Sequence, residues 1–144
     1  MIRTLTAALL LAAPVAAETV TKPSAHSVEE TADRLAAAIE GAGATLVARV
    51  PHSNAAASVG LDLPGAELLI FGNPNVGTPI MQQDLRAGLV LPLRVLVHAD
   101  GEGAAVTYQT AETLFEGLEV DLSSEAAQRI NGALGNLTDA AVGE

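Results

Sequence analysis

The sequence predicts an α+β domain with the element order β-α-β4-α, and three observations carry that prediction. A serine-initiated amphipathic helix follows a short β-prone piece near residue 20. Four strand-length runs come next, residues 45–50, 66–71, 93–98 and 104–110, each bounded by proline, glycine or polar turn residues. A second helical stripe closes the chain over residues 124–142.

The chain begins with one positive charge at Arg3, an apolar stretch from Leu5 to Val15, and the small-residue run Val15-Ala16-Ala17. That order is the pattern of a secretory signal peptide, so residues 1–17 are expected to be removed before Glu18. Residues 18–144 are then expected as one soluble periplasmic domain, and no later run is long enough for stable membrane insertion. The chain carries 7 basic and 17 acidic residues, a formal charge of −10 at pH 7. Nucleic acid and anionic lipid would be repelled by such a surface, whereas cations and basic proteins would not. There is no cysteine, so stability must come from packing, and the aromatics Phe71, Tyr108 and Phe115 are too few for a base- or sugar-stacking platform.

Residues 18–22 read as a first strand ended by Pro23. Ser27-Val28-Glu29-Glu30 matches a capping box, in which the serine hydroxyl and the glutamate carboxylate satisfy each other's backbone donors. Val28, Ala32, Leu35, Ala36 and Ile39 follow at helical spacing, and Gly41 and Gly43 stop the helix. Thr45 to Val50 reads as a strand ended by Pro51, followed by a short alanine-rich helix over 52–59. Leu63-Pro64-Gly65 turns the chain into Ala66 to Phe71, an uninterrupted apolar run suited to a central strand.

The segment Phe71-Gly72-Asn73-Pro74-Asn75-Val76-Gly77-Thr78-Pro79 is the sharpest local signal in the chain. Asn73 must be extended because proline follows it, and Asn75 and Gly77 suit turn positions. Thr78 reads as an N-cap and Pro79 as the first residue of a short helix over 79–87, with Met81 and Leu85 four residues apart and Gly88 closing it. Pro92 then opens a strand from Leu93 to His98, Asp100-Gly101-Glu102-Gly103 makes a hairpin turn, and Val106 and Tyr108 alternate with Thr107 and Gln109 on the return. In the last helix Ile130, Ala133, Leu134, Leu137 and Ala141 share one stripe, and Gly132 and Gly135 read as devices for close packing on a sheet.

The chain from 20 to 110 resembles the family known as domain of unknown function 302. The resemblance rests on Ser27-Val28-Glu29-Glu30-Thr31, on Glu67 through Pro74, on Gly77-Thr78-Pro79-Ile80-Met81-Gln82 and on Leu91-Pro92-Leu93-Arg94, in that order. It implies an antiparallel sheet of order 1-5-4-3-2 with helices packed on one side, a TBP-like arrangement, and a tendency to form homodimers. It brings no established activity, so no catalytic residue is carried over from it and the cofactor is unknown.

Two candidate sites follow. Asn73, Asn75, Gly77 and Thr78 at a helix start, with Arg86 or Arg94 nearby, would form an anion cradle. His26, His52 and His98, with Met81, are the candidate metal ligands. The histidines follow strands at one shared end of the expected sheet, but neighbours in that set stand two strands apart, roughly 10 Å. No H-E-x-x-H, G-x-S-x-G, P-loop or complete G-x-G-x-x-G occurs; Gly41-Ala42-Gly43 and Gly101-Glu102-Gly103 read as a helix stop and a turn. The expected function is therefore a non-catalytic module binding a small ligand or a protein, with a histidine metal protein and an anion-cradle enzyme as alternatives.

Overall fold

The computed structural model describes residues 18–143; the signal peptide expected over 1–17 lies outside them. The five strands are β1 (Thr19–Ser24), β2 (Thr45–Pro51), β3 (Ala66–Gly72), β4 (Leu93–Asp100) and β5 (Gly103–Gln109). They form one antiparallel sheet in the order β1-β5-β4-β3-β2. The helices are α1 (Val28–Gly41), α2 (His52–Ser58), α3 (Pro74–Gln83), α4 (Ala111–Leu114) and α5 (Glu125–Val142), with a 3-10 turn over Leu85–Leu89. The predicted α+β order is present, and the chain between 110 and 124, to which no element had been assigned, contributes α4. No helix among the described residues is long and apolar enough to cross a membrane.

Periodicity explains why the sheet has one covered face. Leu69, Phe71, Val95, Val97 and Val106 alternate toward α1 and α5, where Leu35, Ile39, Ile130 and Leu134 meet them, all at most 2% exposed. Ser27 caps α1 by accepting from the Glu30 amide at 3.1 Å, and Ser124 caps α5 by accepting from Ala127. Buried hydroxyls are satisfied locally: Ser24 Oγ and Thr31 Oγ1 are 2.9 Å apart, and Thr138 Oγ1 donates to the Leu134 carbonyl. At the rim, Arg49 of β2 donates to Glu67 of β3 and to Asp33 of α1, and these carboxylates, Glu67 foremost, raise its guanidinium above the ordinary value.

The opposite face is not covered in the same way. Val50, Leu68 and Leu96 lie side by side across β2, β3 and β4, half-buried and apart from the main core cluster, with Ile70 and Arg94 paired beside them. The helix α2 buries none of its residues, and Val59, Leu61 and Leu63 after it are 70%, 66% and 44% exposed. The outer strands are interrupted: Pro23 sits in β1, Pro51 ends β2, and the β2–β3 register shifts between Leu46 and Ala48.

Two glycine readings are corrected. A Cβ at Gly132 or Gly135 would meet nothing within 4 Å, so neither glycine serves close packing of α5 on the sheet. Gly77 has no positive φ, because it lies within a helix rather than in a turn.

Candidate functional site

The Phe71–Thr78 segment is one wall of a cleft, and its backbone differs from the sequence reading. Strand β3 runs directly to Gly72, and Asn73 (φ −135°, ψ 118°) is the N-cap, with its Oδ1 accepting from the Asn75 amide at 2.9 Å. Pro74, not Pro79, is therefore the first helical residue, and α3 begins five residues before the position assigned from Thr78. The Asn73 carbonyl accepts from the Val76 and Gly77 amides, both at 2.9 Å. Pro79 is carried inside the helix, which ends at Gln83; Gly88 belongs to the separate 3-10 turn. Asn73→Ala is expected to lower stability by about 1 kcal/mol, while Thr78→Ala changes it by less than about 0.5 kcal/mol. Urea unfolding of the two variants checks which residue caps; the reverse order of effects would restore Thr78.

Three elements meet the start of α3. Val47, at the register shift in β2, is 58% exposed, as its strand neighbour two residues back, Thr45, is exposed. Leu91, Pro92 and Leu93 enter β4 beneath Gly72, where an added Cβ would lie 3.4 Å from Pro92. Met81 of α3 and Ile130 of α5 complete the lining, and the volume of this open cleft is about 440 Å³. A Cβ at Gly88 would stand at ordinary contact distance from the Met81 sulfur, 3.6 Å, and one at Gly77 from the Leu91 side chain, 3.7 Å.

The anion cradle is not assembled. Asn73, Gly77 and Thr78 line the cleft, but Asn75 does not. Arg86 turns away to Asp84, donating from Nε at 3.0 Å and from a terminal nitrogen at 2.6 Å. Arg94 is exposed on the opposite face of the sheet, since its neighbours Leu93 and Val95 point into the core. Asp84 also caps the 3-10 turn through the Arg86 amide and accepts from the Glu119 amide at 3.0 Å. Arg86 first, then these backbone donors, holds the Asp84 carboxyl well below the usual carboxylate range. Because the folded-state value is depressed, the stabilisation is complete above about pH 4 and is lost as pH falls through the folded-state value. Asp84→Asn is expected to flatten the acid limb of a melting-temperature profile between neutral pH and pH 2; an unchanged limb would contradict the assignment.

The histidines share one end of the sheet, as the strand directions required, but each is engaged separately. His26 Nδ1 lies 2.9 Å from Glu30 Oε1. His98 Nδ1 donates to the Ala99 carbonyl at 3.1 Å, and its Nε2 contacts Thr107 Oγ1 at 3.0 Å. His52 opens α2, and Met81 lies in the cleft. No three His, Cys, Asp or Glu side chains among the described residues converge on a point that could hold a metal ion.

The comparisons with known proteins concern this same framework. The family model described as Domain of unknown function DUF302 matches residues 20–137. The chain belongs to the DUF302 family. A crystal structure of an uncharacterized conserved protein DUF302 from Bacillus stearothermophilus superposes with a TM-score of 0.69 at 17% identity, covering 87% of this chain and 95% of that one. The DUF302 fold thus accounts for the sheet and its helices. Among curated relatives, a protein of Brucella suis biovar 1 named Fluoride-specific ion channel FluC 1 is 42% identical over 109 residues, 75% of this chain and 43% of that protein. A protein of Brucella melitensis biotype 1 named Fluoride-specific ion channel FluC 2 is 42% identical over the same length, 40% of that protein. The chain spans less than half the length of these relatives.

Proposed function

We propose that this DUF302 domain is an exported, non-catalytic binding module that takes a small apolar molecule into the cleft beside α3. The observation carrying the proposal is the cleft itself, about 440 Å³ and lined by Val47, Val76, Met81, Leu91, Leu93 and Ile130 among others. Ligand sites are typically concave, largely apolar and about 300–1,000 Å³ in volume. Residues 1–17, read as a leader, support export. N-Phenyl-1-naphthylamine, a neutral dye that fluoresces in apolar surroundings, is expected to bind saturably at one site per chain. Val47→Asp places a charge on the exposed rim and is expected to weaken binding at least tenfold with the melting temperature unchanged. Absence of saturable binding, or equal binding by the variant, would overturn the reading.

The partner we infer is a second copy. A seven-residue helix is marginal on its own in water, yet α2 buries nothing and is followed by exposed Val59, Leu61 and Leu63. A second chain against this segment and the Leu68 face would supply the missing burial. Leu61→Asp is expected to convert a dimer to a monomer in light scattering after size exclusion, and a wild-type monomer would end the proposal.

A second reading comes from the curated relatives, whose printed name is that of a fluoride channel. We infer that a domain of this type works beside such a channel rather than holding fluoride, because the acidic chain repels an anion and Arg86 is occupied by Asp84. Loss of the gene is expected to lower the fluoride tolerance of the cell; unchanged tolerance would remove this reading.

A further inference from the structure

We propose that the cleft selects an uncharged aliphatic molecule bearing one hydroxyl or carbonyl group, a class defined by the cleft's electrostatics. This rests on the cleft being a binding site and adds the chemistry of what it holds.

None of the residues lining the cleft is ionisable. A charge brought into such a space loses its hydration without gaining a counter-charge, which is costly unless the charge is paired. The start of a helix is the usual remedy for an anion, and here that remedy is already spent. Pro74 has no N–H, the Asn75 amide donates to Asn73 Oδ1, and the Val76 and Gly77 amides donate to the Asn73 carbonyl. Arg86, the first cation after α3, has its guanidinium engaged on two nitrogens by Asp84. A cation fares no better. Although the chain is acidic overall, no carboxylate lines the cleft, and Asp84 is neutralised by that same arginine.

Two polar groups remain for a ligand. Thr45 and Thr78 line the cleft, and their hydroxyls make no hydrogen bond to protein among the described residues. Each can donate or accept one bond, which matches a hydroxyl or carbonyl and offers a carboxylate too little. The rest of the lining is Val, Leu, Ile, Met, Pro, Gly and the Asn73 amide, with no aromatic face for a planar ring to stack on. An aliphatic chain therefore gives up no stacking partner here that an aromatic ligand would have.

The test is competition against bound N-phenyl-1-naphthylamine by decan-1-ol, decanoate and decylammonium, each below its micellar concentration. Decan-1-ol is expected to displace the dye at a concentration at least tenfold lower than either ion, and Thr45→Val/Thr78→Val to narrow the preference for decan-1-ol over a hydrocarbon of the same length, decane, several-fold. Equal displacement by all three, or preference for either ion, would overturn the class assignment while leaving the cleft as a site. Saturable dye binding with no displacement by any of them would do the same. No dye binding at all would instead overturn the cleft reading beneath it.

Discussion

Gly103→Ala is expected to lower the stability of the domain by about 2–3 kcal/mol, the upper range for forcing atoms into a packed site. A Cβ at Gly103 would stand 2.3 Å from the Ser24 carbonyl oxygen, so backbone rather than a flexible side chain would have to give way. Ser24 cannot retreat freely. It is 7% exposed, pairs in register with Ala104, and its hydroxyl meets Thr31 of α1. Relief would therefore loosen the end of β1 and its tie to the first helix together. Gly101 provides the comparison: its φ of +57° demands glycine for conformation, but a Cβ there would meet nothing within 4 Å. Alanine at 101 should cost about 1–2 kcal/mol. Urea unfolding of both variants reads the difference, and a Gly103 variant as stable as wild type would mean that β1 does not press on the hairpin.

Phe71→Ala is expected to cost more, about 3–5 kcal/mol, the range for removing a buried ring. Phe71 is 2% exposed in a core otherwise built almost entirely from aliphatic side chains. It pairs with Leu46 on one side and Leu93 on the other, so its ring joins β2, β3 and β4 where the chain turns into the cleft. Phe71→Leu should recover most of that loss by keeping the site filled. The denaturant midpoint of each variant measures it, and a cost below about 1 kcal/mol for alanine would show that the core collapses around the gap.

Much of this fold is legible in the residues because local and global signals agree. Ser27 with Glu30 marks the start of α1, the spacing of Ile130, Leu134, Leu137 and Ala141 marks α5, and the runs at Ala66 and Leu93 mark two inner strands. The entry into α3 failed for a specific reason. Asn73-Pro74 and Thr78-Pro79 are equivalent cap-and-proline signals five residues apart, and only the sheet, by carrying β3 to Gly72, decides between them. Gly103 misled in a similar way, since a turn glycine and a glycine pressed against another strand look alike in sequence.

The cleft was legible only in part. Asn73, Gly77 and Thr78, which line it, stood out because proline and glycine punctuate the loop. Val47, Leu91 and Ile130 were missed because each reads as an ordinary strand or core residue. Val47 is exposed in step with Thr45 and Arg49, and nothing in the run from Thr45 to Val50 singles it out. The arginines were misplaced for a different reason. Arg86 finds its carboxylate two residues away, and Arg94 falls on the far side of a strand whose facing was fixed by Val95.

The interrupted outer strands govern what this protein can become at high concentration. An exposed strand edge is a template on which another chain can lengthen the ladder indefinitely, the first step toward fibrils. Here Pro23 withholds a donor along one edge, while Pro51 and the shift at Leu46 break the repeat along the other. A strand added to either edge would find the ladder broken at these positions, which disfavours continued edge-to-edge growth.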